Sequence, residues 1–425
     1  MPPKIVQRML LAIAILCGVS GCHVRRSNCC CLDTSVADAN VTIRESANTG
    51  EIRSSFESIE QAADSQPLEV ASFFSQGSTA LDLKKCCCAA AINSPIADAI
   101  DKERQAMCCC DRYNRCVDEF LAGQALKQRN EAASIAGELF LRLVEIQLQQ
   151  ELLDESNDKL SELRAASKFA DEQGFATVDA DTEIDKQEIQ LRNQHVELEE
   201  NRTAVTAKLN AVLGISLCSP KTIYPIFELL PVNEPVETCT EIENAFTHRA
   251  DLQALNQQGC GCMDSECYDI LSNLDPRLGI GAKAAVQKCL LLKNLHSAED
   301  CAKGIRNQQF DELKSARREL VRLEVTQAVL AIQSGYKKLS IEDDNVARLE
   351  TRLEALDYSA ELDSLDNYLK TIEVWSEIQM AKSARISKAI DFEIAKIKLV
   401  GATGRWPEIC EIAGYKCYSS RSCCN

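Results

Sequence analysis

The residues of this chain best suited to chemistry are its cysteines, 23 among 425 residues. Most fall in short clusters: Cys86-Cys87-Cys88, Cys108-Cys109-Cys110 with Cys116, and Cys260-Gly261-Cys262 with Cys267, Cys289 and Cys301. Clustered thiolates can bind zinc or copper, but none of these clusters has the paired two-residue spacing of a zinc ribbon. In an exported chain, cysteine clusters are more typical of disulfide bonds. We therefore predict a disulfide-tied cap on the rest of the fold and no metal or other cofactor, with a thiolate metal site as the alternative.

The other reactive side chains form no recognisable catalytic arrangement in the sequence. The chain has four histidines; His195 falls on the polar side of a predicted helix, and neither it nor His248 has an evident catalytic companion. The sequence contains no glycine-rich phosphate loop, nucleophile elbow or metalloprotease helix. A net charge of -17 argues against nucleic acid as a partner. The sequence therefore predicts a protein that is not an enzyme.

The start of the chain predicts a lipoprotein signal peptide. Two basic residues precede an apolar run over residues 9–17, which is too short to span a bilayer. The segment Val19-Ser20-Gly21-Cys22 resembles a bacterial lipobox, in which the cysteine is lipidated and becomes the first mature residue. An ordinary signal peptide with a chance cysteine is the alternative. We expect Cys22 to be the lipidation site and, because His23 and not aspartate follows it, the mature chain to face the periplasm from the outer membrane.

Two cysteine-free stretches, 126–214 and 302–404, must position everything else, and both show helical periodicity. The first has apolar residues at three- and four-residue steps, a break near Gly174, and then a seven-residue repeat, which is typical of a coiled-coil seam. A further apolar row, Ile189 and Val196, lies well round the same helix and indicates neighbours on both sides. The other stretch has one arm over 320–356, a polar interruption over 359–363, and a return arm over 365–400.

Each stretch therefore predicts a helical hairpin, and the hairpin at 302–404 is interpreted as a copy of the one at 126–214. Gly214 and Gly401 are the predicted stops of the two return arms. Two unrelated coiled coils of similar composition are the alternative. At a rise of 1.5 Å per residue, each arm would be roughly 55 to 65 Å long. The predicted fold class is mainly α: two repeated long antiparallel helical hairpins, with cysteine-rich irregular segments and little or no β-strand.

Three kinds of short segment carry a family resemblance. They are Gly174-Phe175-Ala176-Thr177-Val178-Asp179, the two closing segments Leu209-Asn210-Ala211-Val212-Leu213-Gly214 and Leu399-Val400-Gly401-Ala402-Thr403-Gly404, and His248-Arg249-Ala250-Asp251-Leu252-Gln253-Ala254. The first is similar to a Gly-x-x-Thr turn between two long helices, and the last to an Arg-Pro-Asp-Leu segment in which Ala250 replaces the proline. In this order and spacing they resemble the TolC-type outer membrane efflux proteins, many of which are lipoproteins.

The resemblance implies a homotrimer whose hairpins close into a hollow helical cylinder across the periplasm. In the family, the hairpin tips close the channel and meet a periplasmic adaptor and, with it, an inner membrane pump. The candidate tip residues for partner binding or gating are Gly174, Thr177, Asp179, Asp181, Asp363 and Asp366. The family also places membrane strands where this sequence has its cysteine clusters, and ten-residue alternating segments are not found there.

Two functions of different classes follow from this pattern. The first is an efflux-type conduit, anchored by lipid to the outer membrane, for the export of small molecules. The second is a non-conducting scaffold lipoprotein of the same helical fold; a thiol-rich metal-binding lipoprotein is a third, weaker possibility. The expected segments are a signal peptide (1–21), an irregular tether (22–80), a cysteine-rich segment (81–125), the first hairpin (126–216), a cysteine-rich connection (217–301), the second hairpin (302–404) and a cysteine-containing tail (405–425).

Overall fold

A computed structural model describes residues 78–109, 115–172, 178–215, 222–227, 236–258, 296–359 and 365–412. More than half of the 425 residues lie in helices. The strands of the described residues form a single two-stranded sheet. The predicted mainly α fold is therefore confirmed. None of the described helices contains a stretch of sufficient length and hydrophobicity to span a bilayer.

The first half of the chain runs from a strand through two short helices into two long ones. Its elements are β1 (Ser78–Asp82), α1 (Leu83–Ile92), α2 (Pro95–Cys109), α3 (Arg115–Glu172) and α4 (Val178–Val212). Asp82 begins α1 as its N-cap, because its carboxylate accepts a hydrogen bond from the Lys85 backbone N–H at 2.7 Å.

The second half repeats the same order of elements. Its elements are β2 (Thr222–Ile226), α5 (Thr238–His248), α6 (Ala250–Gln258), α7 (His296–Ser359) and α8 (Leu365–Thr403), followed by the one-turn helix α9 (Trp406–Ile409). The two strands pair in parallel, with Ser78 opposite Thr222 and Asp82 opposite Ile226. This common order supports the interpretation of the sequence as an internal repeat.

The four long helices form two antiparallel hairpins that lie side by side. α3 packs along α4, and α7 packs along α8, while α3 and α8 join the two hairpins. The order across the layer is thus α4, α3, α8, α7, with α4 and α7 at the two edges, although part of α4 also contacts α8. In the first hairpin, Leu153, Leu160 and Leu163 pack against Ile184 and Leu191. The predicted apolar seam is therefore the contact between the two arms.

The long arms extend beyond their predicted starts. α3 has 58 residues and α7 has 64, which at 1.5 Å per residue gives about 87 and 96 Å, compared with the predicted 55 to 65 Å. The prediction was too short because the two arms were expected to start at residues 126 and 320, whereas the helices begin at Arg115 and His296. The helix ends at Glu172 and Ser359 bracket the predicted turns, whose central residues 173–177 and 360–364 lie outside the described residues.

The two return arms end in the same way. After α4, Gly214 has a φ of 73°, and the Ile215 N–H donates to the Asn210 carbonyl at 2.8 Å. After α8, Gly404 has a φ of 77°, and the Arg405 N–H donates to the Val400 carbonyl at 3.2 Å. These are Schellman-type ends, which favour glycine because it adopts positive φ without steric cost.

The predicted stop at Gly401 was wrong, since α8 continues to Thr403 and Gly404 ends it. Gly401 instead allows α8 to approach α3, because a Cβ there would collide with the Ser134 side chain. Asn130 on α3 donates to the Gly401 carbonyl at 2.8 Å, which fixes the crossing of the two helices.

The first cysteine cluster is helical, which corrects the expectation of an irregular segment. Cys86, Cys87 and Cys88 lie on α1 and are fully buried in the main core against α3. Leu83 and a run of alanines complete this apolar helix. Burial raises the pKa of the Cys86 thiol, and raises that of Cys87 well above its ordinary value. Both are therefore neutral packing residues in this core.

Candidate functional site

The candidate tip residues lie only partly within the described structure. Asp179 and Asp366 fall in the first turns of α4 and α8, where only the backbone is described, and Asp181 is an exposed residue of α4. The Ser167 hydroxyl at the end of α3 donates to Asp181 at 2.7 Å. Gly174, Thr177 and Asp363, and the predicted lipidation site Cys22, lie outside the described residues. Their roles remain predictions.

Acidic side chains crowd the start of α4 beside the first tip. Arg164 of α3 forms ion pairs with Asp185 and, at 3.1 Å, with Glu188. A hydrogen bond from the Gln187 amide, together with Lys186, holds the pKa of Glu183 below its usual value. Glu183 is thus ionised at neutral pH.

A buried ionic cluster joins the short helices of the second half to α7. Arg249 donates two hydrogen bonds to Asp251, at 3.0 and 2.9 Å. Arg317 of α7 donates two more to the same carboxylate, at 2.9 and 2.6 Å, and the Leu252 N–H adds another at 3.1 Å. Glu324, also on α7, pairs with both arginines. The cluster therefore fixes the direction in which α5 and α6 meet α7.

The same cluster reaches the end of α8. Arg249 donates to the Ala402 carbonyl at 3.1 Å, and its side chain packs against Gly404. Partial burial raises the pKa of Asp251, but the Arg249 and Arg317 guanidiniums outweigh it and hold that pKa at about 2. One buried carboxylate thus ties together the α5–α6 junction and, through Arg249, the last turn of the second hairpin.

The structure explains the departure from proline within this segment. Ala250 is the first residue of α6, and the first position of a helix favours proline because its N–H has no partner within the helix. Alanine is also an excellent helix former. The Arg-Ala-Asp-Leu sequence can therefore begin α6 as the proline version would.

A disulfide bond joins the two ends of the described core. Cys88 of α1 bonds to Cys410, which follows α9, across 322 residues of sequence. His248 of α5 also contacts this end of the chain through Glu408, 3.0 Å from its Nδ1. The prediction of disulfide-tied segments is supported for the first cysteine cluster; the pairing partner could not have been derived from spacing alone.

The described residues support neither a catalytic role for His195 nor a thiolate metal site. Among the described residues, the acidic partner of His195 is Glu199, one turn away on the same helix and 3.8 Å from its Nδ1. Within the described part of the chain, no group of three or more histidine, cysteine, aspartate or glutamate residues is arranged to hold a metal ion. The side chains of the other two cysteine clusters lie outside that part.

Where the two hairpins meet beyond the main core, serine and amide side chains link them. The Ser156 hydroxyl of α3 donates to Gln379 of α8 at 2.9 Å, and the Ser376 hydroxyl of α8 donates to Gln187 of α4 at 3.3 Å. Sequence reasoning missed this contact, as it missed the partners of Asp251. The seven-residue spacing of Arg317 and Glu324 on one helix face was the available signal for the ionic cluster.

Comparison with known structures gives the following likenesses. The crystal structure of CusC, from a study of folding and transmembrane channel formation, is 13% identical over 80% of this chain and 98% of that chain, with a TM-score of 0.50. The Campylobacter jejuni CmeC outer membrane channel is 11% identical over 68% of this chain and 66% of that chain, with a TM-score of 0.49. The open-state Neisseria gonorrhoeae MtrE outer membrane channel is 11% identical over 76% of this chain and 88% of that chain, with a TM-score of 0.48.

No protein-family model matches the sequence, and no curated protein sequence matches it. The likeness is therefore one of fold, established by structure at low sequence identity.

Proposed function

We propose that this chain, whose fold is that of the TolC-type outer membrane channels, is a lipid-anchored subunit of a conduit that exports small molecules. The observation that carries the proposal is the pair of long antiparallel hairpins lying side by side, in the same overall arrangement as CusC. A role in transport accounts for the length of the helices, about 90 Å, better than a catalytic role does. The proposal names the substrate and partners only by class: a small molecule, an inner membrane pump and a periplasmic adaptor.

The edges of the helical layer support assembly from several copies. On α4, Ile189 and Val196 are 60% and 54% exposed, on a face away from the buried seam residue Ile184. On α7, Leu323 and Leu330 are 53% and 57% exposed. At 100° per residue they fall, together with Leu320 and Ile341, on one stripe opposite the buried side of the helix. Because burying such side chains is favourable, we infer that α4 of one copy packs on α7 of the next, in a homotrimer.

This assembly can be tested by placing a carboxylate at the edge. In detergent, the wild-type protein should have the mass of three copies, whereas Leu330→Glu and Ile189→Glu should give mostly monomer, because a carboxylate buried in an apolar interface is strongly unfavourable. Ile135→Glu is the matched control, since Ile135 is 51% exposed on the central helix α3. A monomeric wild type, or edge variants that assemble as the control does, would refute the arrangement.

The acidic tips are our proposed mouth of the conduit. In a trimer, the carboxylates near Asp181 would lie close to those of Asp363 and Asp366, which we predict at the second tip. Crowded negative charge at a narrow mouth attracts cations and repels anions. Gly174, Thr177 and Asp179 complete the proposed contact surface for the adaptor at the first tip.

The outer membrane location is proposed from the lipobox and from the fold. Metabolic labelling with palmitate should mark the wild-type protein and leave Cys22→Ser unlabelled, because acyl chains on Cys22 provide the anchor. Cys239→Ser, at an exposed free thiol, is the control and should stay labelled. Label on both Cys22→Ser and wild type, or on neither, would end the lipoprotein assignment.

A further inference from the structure

A groove lies where α3, α4 and α8 meet, outside the main core and between the two hairpins. Its volume is about 440 Å³, within the range of about 300 to 1,000 Å³ that is usual for small-molecule sites. Its floor is apolar and includes Leu153, Leu191 and the buried edge of Trp375. Each of the three helices supplies part of the wall, so the groove exists only when both hairpins are docked.

The walls of the groove are held in place by hydrogen bonds between the helices. Ser156 of α3 donates to Gln379 of α8 at 2.9 Å, and Ser376 of α8 donates to Gln187 of α4 at 3.3 Å. Gln149 of α3 also reaches α8, donating to a serine hydroxyl at 3.1 Å. Such cross-links fix the spacing of the helices, so the shape of the groove is set before a ligand arrives.

Other polar side chains on the groove have hydrogen-bonding capacity to spare. Gln190, Gln194, Asn201 and Ser383 line it, and within the described part of the chain none of their side chains makes a hydrogen bond. Each of these groups can both donate and accept. Glu197 is the one charged residue among those that line the groove. The lining is thus polar and almost entirely uncharged, above an apolar floor.

We propose that this groove binds a neutral saccharide. Sugar hydroxyls donate and accept hydrogen bonds, as amide and serine side chains do, while the C–H face of a sugar ring is apolar and matches the leucine floor. A charged ligand would find no set of opposite charges here, and a purely apolar one would leave the amides without partners, which is costly. Two sources share this chemistry: the glycan strands of the cell wall and a free oligosaccharide.

Isothermal titration calorimetry on the detergent-solubilised whole protein tests the proposal with two probes, an N-acetylglucosamine tetramer and maltotetraose. We expect at least one to bind. The double variant Gln194→Leu/Ser383→Ala should weaken that binding about tenfold, which corresponds to about 1.4 kcal/mol, because it removes two neutral hydrogen-bonding side chains. Gln147→Leu is the control: Gln147 is exposed on α3 outside the groove, bonded to Glu151, and its loss should leave binding unchanged.

The pattern of outcomes is decisive. Binding of the N-acetylglucosamine tetramer alone supports a cell-wall glycan as the ligand, and binding of maltotetraose alone supports a free oligosaccharide. Absence of binding for both probes, or equal binding by the double variant and the wild type, overturns the proposal. Because the variants alter side chains on the groove surface and not the apolar core, an unchanged melting temperature should accompany the loss of affinity.

Discussion

Replacing Asp251 by asparagine should lower the free energy of unfolding by about 3 to 5 kcal/mol, the usual effect of removing one partner from a buried ionic cluster. The substitution keeps the shape of the side chain but leaves Arg249 and Arg317 without the carboxylate they share. Denaturant unfolding followed by far-ultraviolet circular dichroism would measure the change. The loss should be largest in the region where α5 and α6 meet α7.

The matched control is Asp391→Asn. Asp391 also pairs with an arginine, Arg142, at 2.9 Å, but its side chain is 47% exposed. Exposed ion pairs contribute about 0 to 1 kcal/mol, so this variant should unfold almost as the wild type does. Equal losses for the two variants would contradict the structural role given to Asp251.

The same carboxylate gives a pH dependence with a definite sign. The folded-state pKa of Asp251, about 2, lies below the ordinary value of 3.8. Its contribution to stability is therefore fully present above about pH 4 and is lost as the pH falls through 2. The difference corresponds to about 2 kcal/mol. Asp251→Asn should lack this part of the acid destabilisation, so the difference in stability between wild type and variant should shrink by about 2 kcal/mol as the pH falls through 2.

Breaking the Cys88–Cys410 disulfide is the second change with a large expected effect. Cys410→Ala should lower the free energy of unfolding by about 2 to 5 kcal/mol, because a bond between residues 322 apart restricts the unfolded chain strongly. The thermal midpoint under non-reducing conditions would show it. The end of the chain after α8 should also become more accessible to protease.

Cys239→Ala serves as the control for the disulfide. Cys239 is an exposed free cysteine of α5, so its removal should change the thermal midpoint little. If Cys410→Ala and Cys239→Ala had the same small effect, the disulfide would not be a structural tie between the two ends of the core.

The periodicity of the sequence predicted the hairpins because each long arm keeps one apolar seam over many turns. The residues of that seam, such as Leu160 and Ile184, are the ones found buried between α3 and α4. The internal repeat could also be predicted, because the last helix of each half ends at a glycine. The exact glycine of the second half was not, because Gly401 and Gly404 are both compatible with a helix end and only the hydrogen bonds distinguish them.

The features that the sequence did not predict depend on contacts between residues that are distant in sequence. Cys86, Cys87 and Cys88 were grouped with irregular segments because clustered cysteines are typical of them, yet packing against α3 makes this stretch a buried helix. Arg317 and Glu324 are two of the many charged residues of the long helix α7. Their role depends on Asp251, which lies 66 residues before Arg317. No local sequence pattern connects Asp251 with Arg317. The groove depends in the same way on three helices that are distant in sequence.

The central claim, that several copies of this chain form a conduit, is tested most directly in planar lipid bilayers. The purified trimer should give stepwise currents that favour cations, and Asp363→Lys with Asp366→Lys should reduce that preference because it reverses charge at the proposed mouth. Unchanged selectivity in this variant would remove the tips from the transport path. A folded, trimeric wild-type protein that gives no current would contradict the conduit and favour a non-conducting scaffold of the same fold.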